Sequence, residues 1–167
     1  HGNVIIHPTS GEWTYTPEAD FHGIDNFTIS ITDDNQGVTQ QQIDIKIDPV
    51  DDSPIAIGAP VLASISENTT APAGDTVGNL FERFFSDVDE NHMVGIAIHG
   101  IVDQPEKGIW QYSRDKGDNW TSISSNDVSS QLALFLSRYA RLRFLPAADY
   151  SGEPSGLDAK LIDSSFQ

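Results

Sequence analysis

One pattern is written twice in this chain, and it constrains the fold more than composition does. The first copy, WTYTPEADFHGIDNFTISITD, runs from Trp13 to Asp33. The second, LRFLPAADYSGEPSGLDAKLID, runs from Leu142 to Asp163. Pro17, Asp20, Phe21 and Gly23 align without a gap on Pro146, Asp149, Tyr150 and Gly152. After one inserted residue, Phe27, Ile29, Ile31 and Asp33 align on Leu157, Ala159, Leu161 and Asp163. Recurrence of this kind marks an array built from one supersecondary unit. Arrays serve mostly as scaffolds or binding surfaces, which counts against an enzyme at the outset.

Apolar residues in the repeat alternate with polar ones. Phe27, Ile29 and Ile31 do so, then Ile43, Ile45 and Ile47. A period of two with one apolar face predicts half-buried antiparallel strands. Asp33–Gly37, DDNQG, has turn composition, so 27–47 reads as a β-hairpin. Val94, Ile96 and Ile98 predict another strand, and Trp110 with Tyr112 a further one ahead of the DKGDN turn. Helix signals are few. Asn126 or Asp127 is placed to cap a short helix running into VSSQLALFLS, and NLFERFF can hold one helical turn. The continuous run Ala133–Leu136 fits a helix or a buried strand equally. The expectation is an all-β chain with at most one or two short helical turns.

A boundary falls near Pro49–Pro54, where two prolines bracket a pair of acids. Pro54 fixes its own backbone and pushes Ser53 toward extended geometry, so residues 51–60 read as a stiff acidic linker. Residues 61–167 then form a nearly complete domain. Residues 1–50 form only the later part of another, because the repeated pattern comes early in them. The chain begins with His rather than Met and reads as an internal piece of a longer protein. Unpaired edge strands in such a half domain would be an association hazard.

With 25 Asp and Glu against 9 Lys and Arg, the net charge is −16. That field repels nucleic acid and anionic membranes and attracts cations. The acids sit in short clusters between apolar segments, not in a tail. The chain has no Cys, which removes disulfides and thiolate metal sites, and no apolar run of membrane-spanning length.

GEWTYTPEADFHGIDNFTISITD followed by IDIKIDPVDDSPIA resembles the tandem cadherin-like and immunoglobulin-like repeats of very large bacterial surface proteins, adhesins of the RTX type among them. SENTT, FFSDVDE, GIWQYSRDKGDNW, LRFLPAADYSG and LID extend the resemblance through the second unit. Asp51 stands where such linkers more commonly carry Asn. The resemblance implies an antiparallel β-sandwich per repeat, with residues 1–50 as the C-terminal half of one and 61–167 as a nearly complete second. It also implies a secreted or cell-surface location, a role in adhesion, and neighbouring repeats of the same chain as partners.

The resemblance further implies Ca²⁺. That cation takes six to eight oxygens, largely from carboxylates. By analogy Asp20, the linker acids Asp51 and Asp52, and the D-x-D acids Asp87 and Asp89 would supply them, with Asp48 nearby. Glu67 and Asp149 would serve the next joint. The competing reading is that these are solvated loop acids, since Asp is common in turns for reasons unrelated to metals. An EF-hand is excluded: after Asp87, Asp89 and Asn91, the loop has His92 where Gly is needed and Ile98 where Glu is needed. The five His are scattered without ligand spacing, and His99 reads as a surface or packing residue.

No strong nucleophile motif is present. SRDK, Ser113 to Lys116, fits S-x-x-K but lies in a predicted turn without companion motifs, and SGEPSG lacks the strand–Ser–helix context. The chain is expected not to be an enzyme. A carbohydrate- or peptide-binding module is the alternative. Trp110 and Trp120 would be its contacts if exposed, with a surface polysaccharide or protein as partner; core packing is the favoured reading for Trp110 and Tyr112, which leaves Trp120 the better surface candidate. Trp13 and Tyr15 are expected in a core, because Leu142 and Phe144 take their places in the second copy.

Overall fold

The computed structural model describes residues 1–165. It forms two compact units, His1–Asp51 and a second beginning at Asp52. All named strands pair antiparallel.

In the first unit β1 (Gly2–Ile6) pairs with β2 (Trp13–Pro17), and β3 (Gly23–Thr32) with β4 (Val38–Ile47). The predicted hairpin is therefore present. Phe27 sits opposite Ile43, and Asp33 closes the turn by donating its N–H to the Gly37 carbonyl. Gly23, Asp25, Phe27 and Ile29 share the half-buried face of β3, and Ile43, Ile45 and Ile47 that of β4. No described residue of this unit is fully buried. Trp13 is accordingly not the core residue expected. It stays 43% exposed with its ring edge-on to Phe27, in a unit where no described residue forms a fully buried core.

The second unit is a sandwich. One sheet runs in the order β10 (Thr121–Ser122), β9 (Gly108–Ser113), β12 (Arg141–Pro146), β6 (Asp75–Thr76). The other runs β11 (Leu134–Ser137), β8 (Met93–Ile101), β13 (Leu157–Asp163). Ile96, Ile98 and Leu136 from the second sheet meet Trp110, Leu142 and Phe144 from the first in one core. The strands expected around Val94–Ile98 and Trp110–Tyr112 are β8 and β9.

NLFERFF does contribute helix: α1 (Val77–Phe81) is followed by a 3₁₀ turn, Glu82–Phe84. Thr76 caps α1, its hydroxyl accepting from the Asn79 N–H at 3.1 Å. The helix expected from Asn126 or Asp127 is absent. Asp127 instead accepts from the Ser124 N–H and hydroxyl in a tight turn, and Leu134–Ser137 is the edge strand β11, pairing with β8. Antiparallel pairing with β8 decides what the apolar run left open, and it buries Leu136 between the sheets.

Much of the stretch read as a linker is tied into the second unit. β5 (Ile55–Ala56) pairs with β7 (Phe85–Ser86), the Ile57 N–H donates to Phe84, and the Asp52 N–H donates to Asp89.

Candidate functional site

The repeated pattern encodes turns. Phe21 N–H donates to the Glu18 carbonyl, and Tyr150 N–H to the Ala147 carbonyl. In each turn the third residue is left-handed, Asp20 at φ 61° and Asp149 at φ 60°. A positive φ at the third position alone gives type II character. That position tolerates Asp because its short polar side chain lowers the left-handed penalty. Gly23 and Gly152 also take positive φ, 118° and 150°. The last acid of the pattern has a local task too. Asp33 Oδ1 accepts the Asn35 N–H and Asp163 Oδ1 the Ser165 N–H, each at 2.9 Å. Four repeated acids thus have conformational reasons to be Asp, whatever else they do.

Asp149 also pairs with a residue that sequence reasoning missed. Its N–H donates to Asn68 Oδ1 at 2.8 Å, and Asn68 Nδ2 returns a bond to Asp149 Oδ1. Glu67, the expected partner, is exposed, and its neighbour reaches Asp149 instead. Asn68 is itself left-handed, φ 60°, a conformation for which Asn is among the better suited residues.

Among the boundary acids, the second unit brings three together. Asp52 N–H donates to Asp89 Oδ2 at 2.6 Å, and Asp89 N–H to Asp87 Oδ1 at 2.8 Å. Asp87 Oδ2 is buried with no hydrogen-bond partner among the described residues. A buried carboxylate oxygen left unpaired is costly, and a hard cation would satisfy it. The donor type fits Ca²⁺, but among the described residues no group of three or more His, Cys, Asp or Glu side chains is gathered closely enough to hold a metal. Asp20 and Asp51 belong to the first unit and are exposed. Asp48 pairs with Lys46, both at the surface.

Trp110 and Trp120 part company. Trp110 is 8% exposed, its Nε1–H donating to the Ser155 carbonyl at 2.9 Å and its ring edge-on to Phe144. With both faces packed it offers nothing to a sugar, so its candidacy as a ligand contact is withdrawn. Alternation along β9 points it into the sandwich. Trp120 is half-buried and lines an open cleft of about 570 Å³ with Lys116, Gly117, Arg141 and Arg143. The Arg143 guanidinium lies 3.9 Å from the Trp120 ring centroid.

Ser113 and Lys116 do not form a nucleophile pair. Ser113 is 1% exposed; its hydroxyl donates to Asp115 Oδ1 and accepts the Gly117 N–H, organising the turn. Asp115 also accepts from the Asn119 backbone and amide, which with Ser113 pull its carboxyl down to about 2. In the first unit Tyr15 donates to Asp25 Oδ2 at 2.6 Å, which pushes the phenol up to about 12 and lowers the Asp25 carboxyl.

Residues 1–46 match the family model described as Bacterial Ig domain. The match covers most of the first unit and supports an immunoglobulin-like repeat of the kind found in bacterial surface proteins. No curated protein and no solved structure matches the chain. No helix among the described residues is long and apolar enough to cross a membrane.

Proposed function

We propose that both units are repeats of one surface protein, and that they hold and space its adhesive parts outside the bacterial cell. One observation carries this reading: the same left-handed Asp turn closes a strand in the unit that matches the bacterial Ig domain and again in the sandwich that follows. A turn repeated at backbone level, in units with different side chains around it, is what a tandem array built from one supersecondary unit produces.

Calcium is part of the same proposal. Asp87 and Asp89 would hold it at the start of the second unit, where Asp52 already bonds to Asp89. The cation would supply charge neutralisation and a hard ligand for the orphaned Asp87 oxygen. Bound there, it would fix the segment that opens the unit to the β7 side of the sandwich. The test is calorimetric melting of the chain with calcium, with magnesium and with chelator, at constant ionic strength. Stabilisation by calcium alone supports the site. Identical melts under all three conditions reject it and leave a calcium-independent repeat.

A further inference from the structure

We propose that the cleft lined by Lys116, Trp120, Arg141 and Arg143 binds an acidic saccharide, with the sugar ring at Trp120 and its carboxylate or sulfate on the cations. In a chain of net charge −16 with 9 basic residues, three of those residues line one cleft. None of the three has a carboxylate within ion-pair distance among the described residues. Two of the nearby acids are engaged elsewhere. Asp115 is turned onto Ser113 and Asn119, and Asp75 onto Thr76 and Asn79. Asp118 lies exposed in the same turn as Lys116.

Both arginines are held in place by neutral acceptors. Arg143 Nε donates to Gln111 Oε1 at 2.9 Å and Nη1 to the Pro72 carbonyl at 3.1 Å. Arg141 Nη2 donates to the Gly74 carbonyl at 2.9 Å, and Nε to that of Ala73. Arg143 Nη2 and Arg141 Nη1 donate to no described residue, so each guanidinium is oriented yet keeps donors and a full charge in reserve. Carboxylate and sulfate are the groups such planar donors recognise. Gly117 takes a positive φ of 106°, and a Cβ there would make only ordinary contact with Trp120 Cζ2 and Arg141 Cδ, each 3.6 Å away.

The repeated pattern does not itself carry these cations. In the first copy of the repeat, Glu12 and Thr14 occupy the places of Arg141 and Arg143. The charge is therefore particular to the second unit. The Arg143 guanidinium covers one face of the indole, 3.9 Å from its centroid, so a pyranose held on the cations would meet the exposed part of the half-buried ring with its C–H groups, a contact an acidic peptide lacks. The adjacent edge strand β10 is only Thr121–Ser122, too short to add much peptide ladder.

The test is titration calorimetry of the whole chain in chelator, which removes calcium bridging through the acidic clusters. The probes are oligogalacturonate for carboxylate, dextran sulfate for sulfate, neutral dextran, and polyglutamate. At least one acidic sugar is expected to bind, and which one identifies the anion; neutral dextran and polyglutamate are expected to bind at least tenfold more weakly. Trp120→Ala should weaken binding by roughly tenfold and Lys116→Gln by roughly threefold. The Lys116 side chain is exposed, so its variant reports on the cleft even if Trp120→Ala disturbs folding. Absence of binding by both acidic sugars overturns the proposal. So does equal binding by polyglutamate or dextran, or unchanged affinity in Lys116→Gln.

Discussion

Asp87→Asn should reverse its effect on stability according to whether calcium is present. In chelator, wild type keeps a buried carboxylate oxygen without a partner, beside a second carboxylate that already bonds to the chain at Asp52. The variant retains an oxygen to accept the Asp89 N–H but carries no charge. Leaving a buried polar group unsatisfied costs about 1–3 kcal/mol, more when it is charged. Part of that cost returns when an unpaired amide N–H takes the oxygen's place, so Asp87→Asn is expected to gain about 1 kcal/mol in chelator. In calcium the order inverts. Extracellular modules bind Ca²⁺ with dissociation constants on the order of 0.1–1 mM. A concentration about tenfold above the dissociation constant stabilises the folded state by about 1.4 kcal/mol. For a unit of this size that raises the melting temperature by roughly 5 °C. The variant, lacking one anionic ligand, should gain little. Scanning calorimetry of both proteins in both buffers gives the four numbers needed. Equal calcium shifts in the two proteins would refute the assignment of Asp87 as a ligand. A variant less stable than wild type in chelator would show that Oδ2 has a structural task of its own.

Three further outcomes are expected. Phe144→Ala, at a site 5% exposed and edge-on to Trp110, should cost the second unit about 3–5 kcal/mol in urea unfolding; a loss below about 1 kcal/mol would mean that the two sheets do not share this core. Asp115, its carboxyl held near 2, should stabilise its turn fully above the unfolded value of about 3.8 and lose that contribution as pH falls toward 2; a carboxyl NMR titration of wild type and Asn119→Ala checks this, the variant's midpoint moving up. Tyr15, with its phenol pushed to about 12, should contribute stability that is whole below pH 10 and lost as pH rises through about 12; ultraviolet titration should show Asp25→Asn returning it toward 10.

The strands were legible because alternation is a direct imprint of one buried face, as at Phe27 opposite Ile43 and along Met93–Ile101. Where alternation stops, local signals were not enough. Ala133–Leu136 is apolar without a period, and pairing of Leu134–Ser137 with β8, a tertiary fact, decides it. The acids were legible as a pattern but not as a purpose. Carboxylates at turns and carboxylates at metal sites share spacing, and only backbone angles show that Asp20 and Asp149 are turn residues first. Trp110 and Trp120 were separable in the sequence, one on a predicted strand with Tyr112 and the other after a turn; strand phase buries the first, while the second stays half-exposed under Arg143. The Asn68–Asp149 pair left no trace in the sequence beyond the presence of an Asn able to adopt a left-handed backbone.

The β5–β7 ribbon has a mechanical consequence. Two residues on each side, with the flanking N–H groups of Asp52 and Ile57, supply the backbone hydrogen bonds that fasten the first stretch of the second unit among the described residues, before Leu62 packs on the core. A pull transmitted along the chain would meet this short fastening ahead of the sandwich. Its release would pay out residues 52–61, roughly 35 Å of extended chain at ~3.5 Å per residue, with the core still closed. Such a segment would act as a shock absorber, lengthening under load and re-zipping when the load falls. A cation on Asp87 and Asp89 would set the force at which it gives way.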